Sequence, residues 1–179
     1  MAYDPALHHR RSVRLQDFNY GQDGAYFVTV CTHNRASLFG ALRTIADVPT
    51  AVLNDAGTIV RNCWMEIPRH FPFVTLDALV VMPDHVHGIL MLHGHDLLPG
   101  WGRGANDYSP LQDGTSGTIG SIVRGFKIGV TKWFNRNRPG ADKIWQRSYY
   151  EHVIRNEQEL HSARQYIVEN PVRKLCRGE

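Results

Sequence analysis

The sequence predicts an α+β protein, with a mostly antiparallel sheet and helices packed on one face. Three observations carry this reading. Runs rich in β-branched and aromatic residues occupy positions 25–32, 73–82 and 85–92. Two longer segments, 54–67 and 118–135, place apolar residues at helical spacing. The order is strand, helix, two strands, helix, short strand, helix, which lacks the regular alternation of a parallel βαβ sheet. At 179 residues, 42% hydrophobic and 21% charged, the chain (1–179) reads as one globular domain able to bury a core.

Each element has a local cause. Residues 1–20 form a polar arm in which Arg10, Arg11 and Arg14 cluster. Gly21 to Gly24 is turn chemistry, and Ala25 to Thr32 reads as the first strand. Asn34 to Gly40 reads as a loop. Ile59, Val60, Cys63, Trp64 and Ile67 share one helix face, which Pro68 closes. Phe73 to Met82 and His85 to Leu92 read as strands of a hairpin, with Pro83-Asp84 as the tight turn. From about 94 to 117 the chain is rich in glycine and poor in aliphatics, the composition of a flexible insert. The next helix sets Ile119, Ile122, Val123, Phe126, Val130, Trp133 and Phe134 on its apolar side and Arg124, Lys127 and Lys132 on the other. Lys143 to Val153 is a short aromatic strand. Asn156 caps a last helix that should stop near Asn170-Pro171.

Composition excludes several classes. No apolar run is long enough to span a membrane, and the N-terminus lacks the apolar core of a signal peptide, so a cytoplasmic protein is expected. Cys31, Cys63 and Cys176 form no CxxC pair and are odd in number, which suggests reduced thiols. No GxxxxGK[ST] pattern is present, so no nucleotide cofactor is expected. Net charge is +3 but uneven: residues 1–120 carry 8 Lys+Arg against 11 Asp+Glu, and residues 121–179 carry 12 against 6. A basic C-terminal third suits a polyanion such as nucleic acid, or is simply a solvated surface.

Two constellations carry chemistry. In Pro83-Asp84-His85-Val86-His87-Gly88, strand periodicity turns both imidazoles to the same side, a two-ligand face for a divalent metal. An isolated HxH is a weak motif, since two packed or exposed histidines give the same pattern. A second HxH, His93 and His95, opens the glycine-rich stretch. A four-histidine zinc site from both pairs is disfavoured by the entropy of ordering that stretch and by the want of a nucleophile. In Gln165-Tyr166-Ile167-Val168-Glu169-Asn170-Pro171, Tyr166 and Asn170 are one helical turn apart. A phenol can attack phosphorus if its ordinary pKa of about 10 is offset, and a carboxamide oxygen suits a hard cation beside imidazoles. A ring packed in a core and an asparagine at a helix end would look the same.

Together these blocks resemble the single-tyrosine HUH transposases, and among them the REP-associated tyrosine transposases of the IS200-like family. The resemblance runs through Arg10-Arg-Ser-Val-Arg-Leu15, Gly24-Ala-Tyr-Phe-Val-Thr-Val-Cys-Thr-His-Asn-Arg35 with Leu38-Phe39-Gly40, Met82-Pro-Asp-His-Val-His-Gly88, Ile144 to Asn156 and Tyr166 to Pro171. It implies a ferredoxin-like core, a divalent metal (Mg²⁺ or Mn²⁺) on His85, His87 and Asn170, and Tyr166 as nucleophile. Tyr149 and Tyr150 rank below Tyr166 because the family pattern places that block before the catalytic helix. It also implies hairpin or single-stranded DNA from palindromic repeats as substrate, cut through a 5′-phosphotyrosine, by a monomer or homodimer.

Arg10, Arg11, Arg14, Arg124, Lys127, Lys132, Arg147 and Arg155 are the candidate phosphate contacts. Trp145, Tyr149 and Tyr150 are candidates to stack on bases. His152, Glu151 and Gln165 are open candidates for proton transfer. Two other readings remain: a nucleic-acid-binding module without catalysis, and a metal-dependent hydrolase of a small substrate.

Overall fold

A computed structural model describes residues 23–94, 118–140 and 143–176. The polar arm, with Arg10, Arg11 and Arg14, and nearly all of the glycine-rich stretch, with His95, lie outside the described residues.

The elements are β1 (Gly24–Cys31), β2 (Gly40–Ile45), β3 (Val48–Leu53), α1 (Asp55–Met65), α2 (Ile67–His70), β4 (Val74–Met82), β5 (His85–Leu92), α3 (Ile119–Asn137), β6 (Tyr150–Ile154) and α4 (Glu157–Cys176). β4, β5, β1 and β6 pair in that order, every neighbour antiparallel. With α1 between β1 and β4 and α3 between β5 and β6, this is the βαββαβ arrangement of a ferredoxin-like sandwich. The α+β class and the antiparallel sheet are therefore as expected.

Local chemistry explains the element ends. Asn54 accepts the Gly57 N–H at 3.0 Å and caps α1, and Thr118 does the same for Ser121 at the start of α3. Apolar stripes of both helices cover one sheet face: Val60, Trp64, Ile122, Phe126 and Val130 pack on Tyr26, Val28, Val30, Val86 and Leu90. Gly88 lies under the indole of Trp64, where a Cβ would come within 2.3 Å of the ring. A core side chain thus makes the close approach that only glycine allows at this position.

The expectation that all helices share one face is corrected. α4 covers the opposite face, where Leu160 and Ile167 pack with Ile89 and Ile154 against Phe27, Val80 and Met91. Strand alternation dictates this: Val86 and Leu90 point to α1 and α3, so His85, His87 and Ile89 point to α4.

Three further departures have physical causes. β2 and β3 form a hairpin that the sequence reading did not assign, turning at Ala46 and Asp47 with φ +47° and +62°. That turn lacks the Asn-Gly signature such backbone angles usually bring. β6 is shorter than foreseen: Ile144 and Trp145 are core residues, and their segment joins β1 through Cys31, Thr32 and His33 before β6 begins. α4 does not stop at Pro171 but runs through it to Cys176, with Pro171 buried. The proline deletes one helical hydrogen bond without ending the helix.

Candidate active site

The site lies where β5 meets α4. His85 and His87 open β5, and their ring centroids are 4.5 Å apart. Both are buried, at 4% and 6% exposed, as is Asn170 at 5%. His85 Nδ1 meets Asp84 Oδ1 at 2.7 Å, so its Nε2 faces Asn170, whose Oδ1 lies 3.2 Å away. His87 Nδ1 is held by Thr29 Oγ1 at 2.7 Å, which leaves Nε2 as its donor atom for a ligand. The four residues predicted from sequence are brought together: Tyr166, one turn before Asn170 on α4, sits edge-on to His87 at 5.3 Å.

Three donors of this chemistry fit a divalent cation. Two imidazoles and a carboxamide oxygen are ligands of intermediate hardness. The 3.2 Å between His85 Nε2 and Asn170 Oδ1 is close to the about 3 Å between adjacent ligands of an octahedral ion with about 2.1 Å bonds. Among the described residues no group of three or more His, Cys, Asp or Glu is placed to hold a metal.

The electrostatics favour neutral imidazole. Burial lowers the His87 pKa, the charges of His85 and Arg35 lower it further, and Asp84 only partly opposes them; the result is about 3. A ring without a proton on its free nitrogen is the form that binds metal. Asp84 shows the opposite balance. Burial raises its pKa, but hydrogen bonds from His85 and Lys174, with the charges of His85 and Arg35, outweigh burial and hold the carboxyl well below the usual range. Lys174 Nζ donates to Asp84 Oδ1 at 2.6 Å, and Arg35 Nε lies 3.0 Å from Oδ2. A carboxylate behind a ligating histidine fixes the tautomer and the ring orientation.

Sequence reasoning did not assign roles to Asp84, Thr29, Arg35, Arg173 or Lys174. Lys174 was within reach of it, four residues after Asn170 and eight after Tyr166 on the same helix face. Arg35 was not: it reaches Asp84 from a short 3₁₀ turn in which Asn34 and Arg35 both have positive φ. Arg35, Arg173 and Lys174 with His85, His87, Tyr166 and Asn170 line a cleft of about 200 Å³. The Arg173 guanidinium, paired with Glu169 at 2.8 Å, lies 5.5 Å from the Tyr166 ring centroid.

The predicted DNA contacts divide. Arg124, Lys132 and Arg147 border a groove of about 560 Å³ between α3 and the segment before β6. Lys127 borders it too, but its Nζ donates to the Gln146 and Ser148 carbonyls at 2.8 and 3.1 Å, and burial lowers its pKa to about 8. It props this segment rather than presenting a free cation. Arg155 is exposed where β6 passes into α4. Of the stacking candidates, Trp145 is packed between Phe39 and Phe126, Tyr149 lines the α3 groove, and Tyr150 is 49% exposed on the α4 side. Glu151 accepts from the Tyr149 hydroxyl, His152 pairs with Glu159, and Gln165 donates to Glu169.

No protein-family model matches the chain. A Haemophilus influenzae protein without an assigned role is 44% identical over 174 residues, covering 95% of this chain and 92% of its own. Two relatives bear the name REP-associated tyrosine transposase, one from Haemophilus influenzae, provisionally, and one from Escherichia coli. Each is 27% identical, over 163 and 154 residues, covering 88% and 86% of this chain and 74% and 70% of theirs. By sequence the chain is thus similar to REP-associated tyrosine transposases. A solved structure of a REP-associated tyrosine transposase bound to a REP hairpin shares the fold, with a TM-score of 0.56 at 24% identity over 92% of this chain and 74% of that one. Among the described residues no helix is long and apolar enough to cross a membrane.

Proposed function

We propose that this chain is a metal-dependent single-stranded DNA endonuclease and strand transferase that acts on hairpin DNA through a 5′-phosphotyrosine. One observation carries the reading: Tyr166 is packed against His87, one helical turn from an Asn170 that meets His85, in a cleft rimmed by Arg35, Arg173 and Lys174. A small-molecule hydrolase would need neither the tyrosine nor the cationic rim. The two transposase relatives, and a solved transposase of the same fold bound to a REP hairpin, support a hairpin substrate.

Mg²⁺ or Mn²⁺ on His85, His87 and Asn170 would supply Lewis-acid polarisation of the scissile phosphate. The chain's residues do the rest. Arg35, Arg173 and Lys174 set cationic groups around the phosphate at the rim of the cleft. The Tyr166 oxygen attacks phosphorus, a Tyr–O–P bond forms, and the P–O3′ bond breaks. The phenol gives up its proton to solvent, and the leaving 3′ oxygen takes one up. Because one phosphodiester replaces another, the bond energy is kept, and a second 3′-OH can reverse the step and join strands. Arg124, Lys132, Arg147 and Arg155 are proposed to hold the DNA backbone outside the cleft.

The test is a denaturing gel after incubation with a labelled hairpin carrying single-stranded flanks and Mn²⁺. A covalent protein–DNA band is expected, absent in Tyr166→Phe and strongly reduced in His85→Ala. Strand cleavage that persists in Tyr166→Phe without an adduct would overturn the tyrosine mechanism.

A further inference from the structure

His87 and Tyr166 form a wall shared by two pockets of different character. On one side is the small cleft with Arg35, Arg173 and Lys174. On the other is a cavity of about 830 Å³ between the β1–β6 ladder and the first turns of α4. Among the described residues, Glu159 is the only Asp, Glu, Lys or Arg lining it, and Glu159 accepts from the Arg155 N–H at 3.0 Å. A phosphate is thus drawn to the first pocket and, among the described residues, meets no Lys or Arg side chain in the second.

The cavity's surfaces are aromatic and neutral polar. Thr29 pairs across the strands with Tyr150, and Phe27 with His152, so one sheet face sets these four side by side. Phe27 stacks on His87 at 5.3 Å and meets Tyr166 edge-on at 5.9 Å, which carries an aromatic surface from the cavity to the nucleophile. Tyr150 is half-exposed above it. From α4, Gln158, Ser162 and Tyr166 follow one another at four-residue spacing along one stripe. The Ser162 hydroxyl donates to the Gln158 carbonyl at 2.9 Å, so its lone pairs face outward as acceptors.

We infer that this cavity is a binding site for an unpaired nucleobase adjoining the phosphate that Tyr166 attacks. Tyr150 is the stacking face, and Gln158 and Ser162 contact the base edge. Carboxamide and hydroxyl groups match the donors and acceptors of a base, and an aromatic wall matches its π-face. A base that must leave a stack to bring its phosphate to a fixed helix needs such a pocket. The inference rests on the proposed cleavage chemistry, because it takes Tyr166 as the point from which the base is counted.

The test separates the two. Wild-type protein and Mn²⁺ first map the cleaved phosphate by adduct formation on a flanked hairpin. Tyr166→Phe protein is then titrated by fluorescence anisotropy with oligonucleotides in which each flanking nucleotide in turn is abasic. One or two positions next to the cleaved phosphate should weaken binding by about 5- to 100-fold. Adding Tyr150→Ala should weaken the intact oligonucleotide to a similar degree and remove the abasic penalty. Adding Gln158→Ala should level the preference among the four bases there. A flat abasic scan, or a penalty that stays whole in both variants, overturns the base site. If adducts still form, the cleavage chemistry stands without it. If no adduct forms on any hairpin, the chemistry fails, and the titration still decides whether a base is bound.

Discussion

Replacing Gly88 by alanine should unfold the site from behind. Gly88 follows His87 on β5 but faces the other side of the sheet, and the new Cβ would lie 2.3 Å from Trp64 Cζ2 and 2.9 Å from Cε2 and Cη2. Carbon atoms prefer about 3.5–4.0 Å, so the ring must retreat by more than 1 Å. It has nowhere to go: Trp64 is 1% exposed and edge-on to Phe126 at 5.3 Å. Overpacking of a well-filled core costs about 1–3 kcal/mol, and a rigid ring against a central strand belongs at or above the upper end. At about 3 kcal/mol a chain of this size loses about 6–12 °C in Tm. Urea unfolding followed by fluorescence measures this directly. The decisive variant is Gly88→Ala with Trp64→Leu, which removes the ring that the methyl strikes. The pair should be less destabilised than the sum of its single changes by at least about 2 kcal/mol. Strictly additive costs would refute the reasoning, because the clash would then not be with Trp64.

Three other outcomes follow from the site and the groove. Asp84→Asn leaves Lys174 without its carboxylate partner and should cost about 2–3 kcal/mol in urea unfolding at pH 7; a loss below about 0.5 kcal/mol would show that the cluster contributes no more than an exposed ion pair. Since the folded Asp84 pKa is depressed, its contribution is full above the unfolded carboxylate value of about 3.9 and is lost as pH falls below it, so wild type and variant should converge in acid. His87, with a folded pKa of about 3 against about 6.5 unfolded, takes up a proton only on unfolding between those values. In EDTA, stability should therefore fall as pH drops below about 6.5, by up to about 1.4 kcal/mol per pH unit, and less so in His87→Gln; an NMR titration midpoint for His87 above 6 would contradict this. Arg124→Ala and Lys132→Ala should each lower the slope of log affinity against log salt for hairpin DNA by up to about one, with cleavage position unchanged; an unaltered slope in both would remove the α3 groove from the DNA path.

How much of this was legible in the amino-acid order depends on distance along the chain. β5 was read with its true ends, the spans of α1 and α3 to within two residues, and His85–His87 and Tyr166–Asn170 as pairs that share a face, because each depends on a repeat of two or of 3.6 residues. The β2–β3 hairpin was not legible, since Ala46 and Asp47 adopt left-handed angles without the residues that usually announce them. The end of α4 was misread because burial of Pro171 outweighs the hydrogen bond that its ring removes.

The sequence by itself determined which side chains could do chemistry and which neighbours share a face. Only the tertiary structure decided that those faces meet. Thr29 and His87 are 58 residues apart, His85 and Asn170 are 85 apart, and Asp84 and Lys174 are 90 apart. Such contacts follow from strand order and from which sheet face α4 covers. No local periodicity encodes that choice: it is set by the need to bury Leu160 and Ile167 on the apolar sheet face that α1 and α3 leave open.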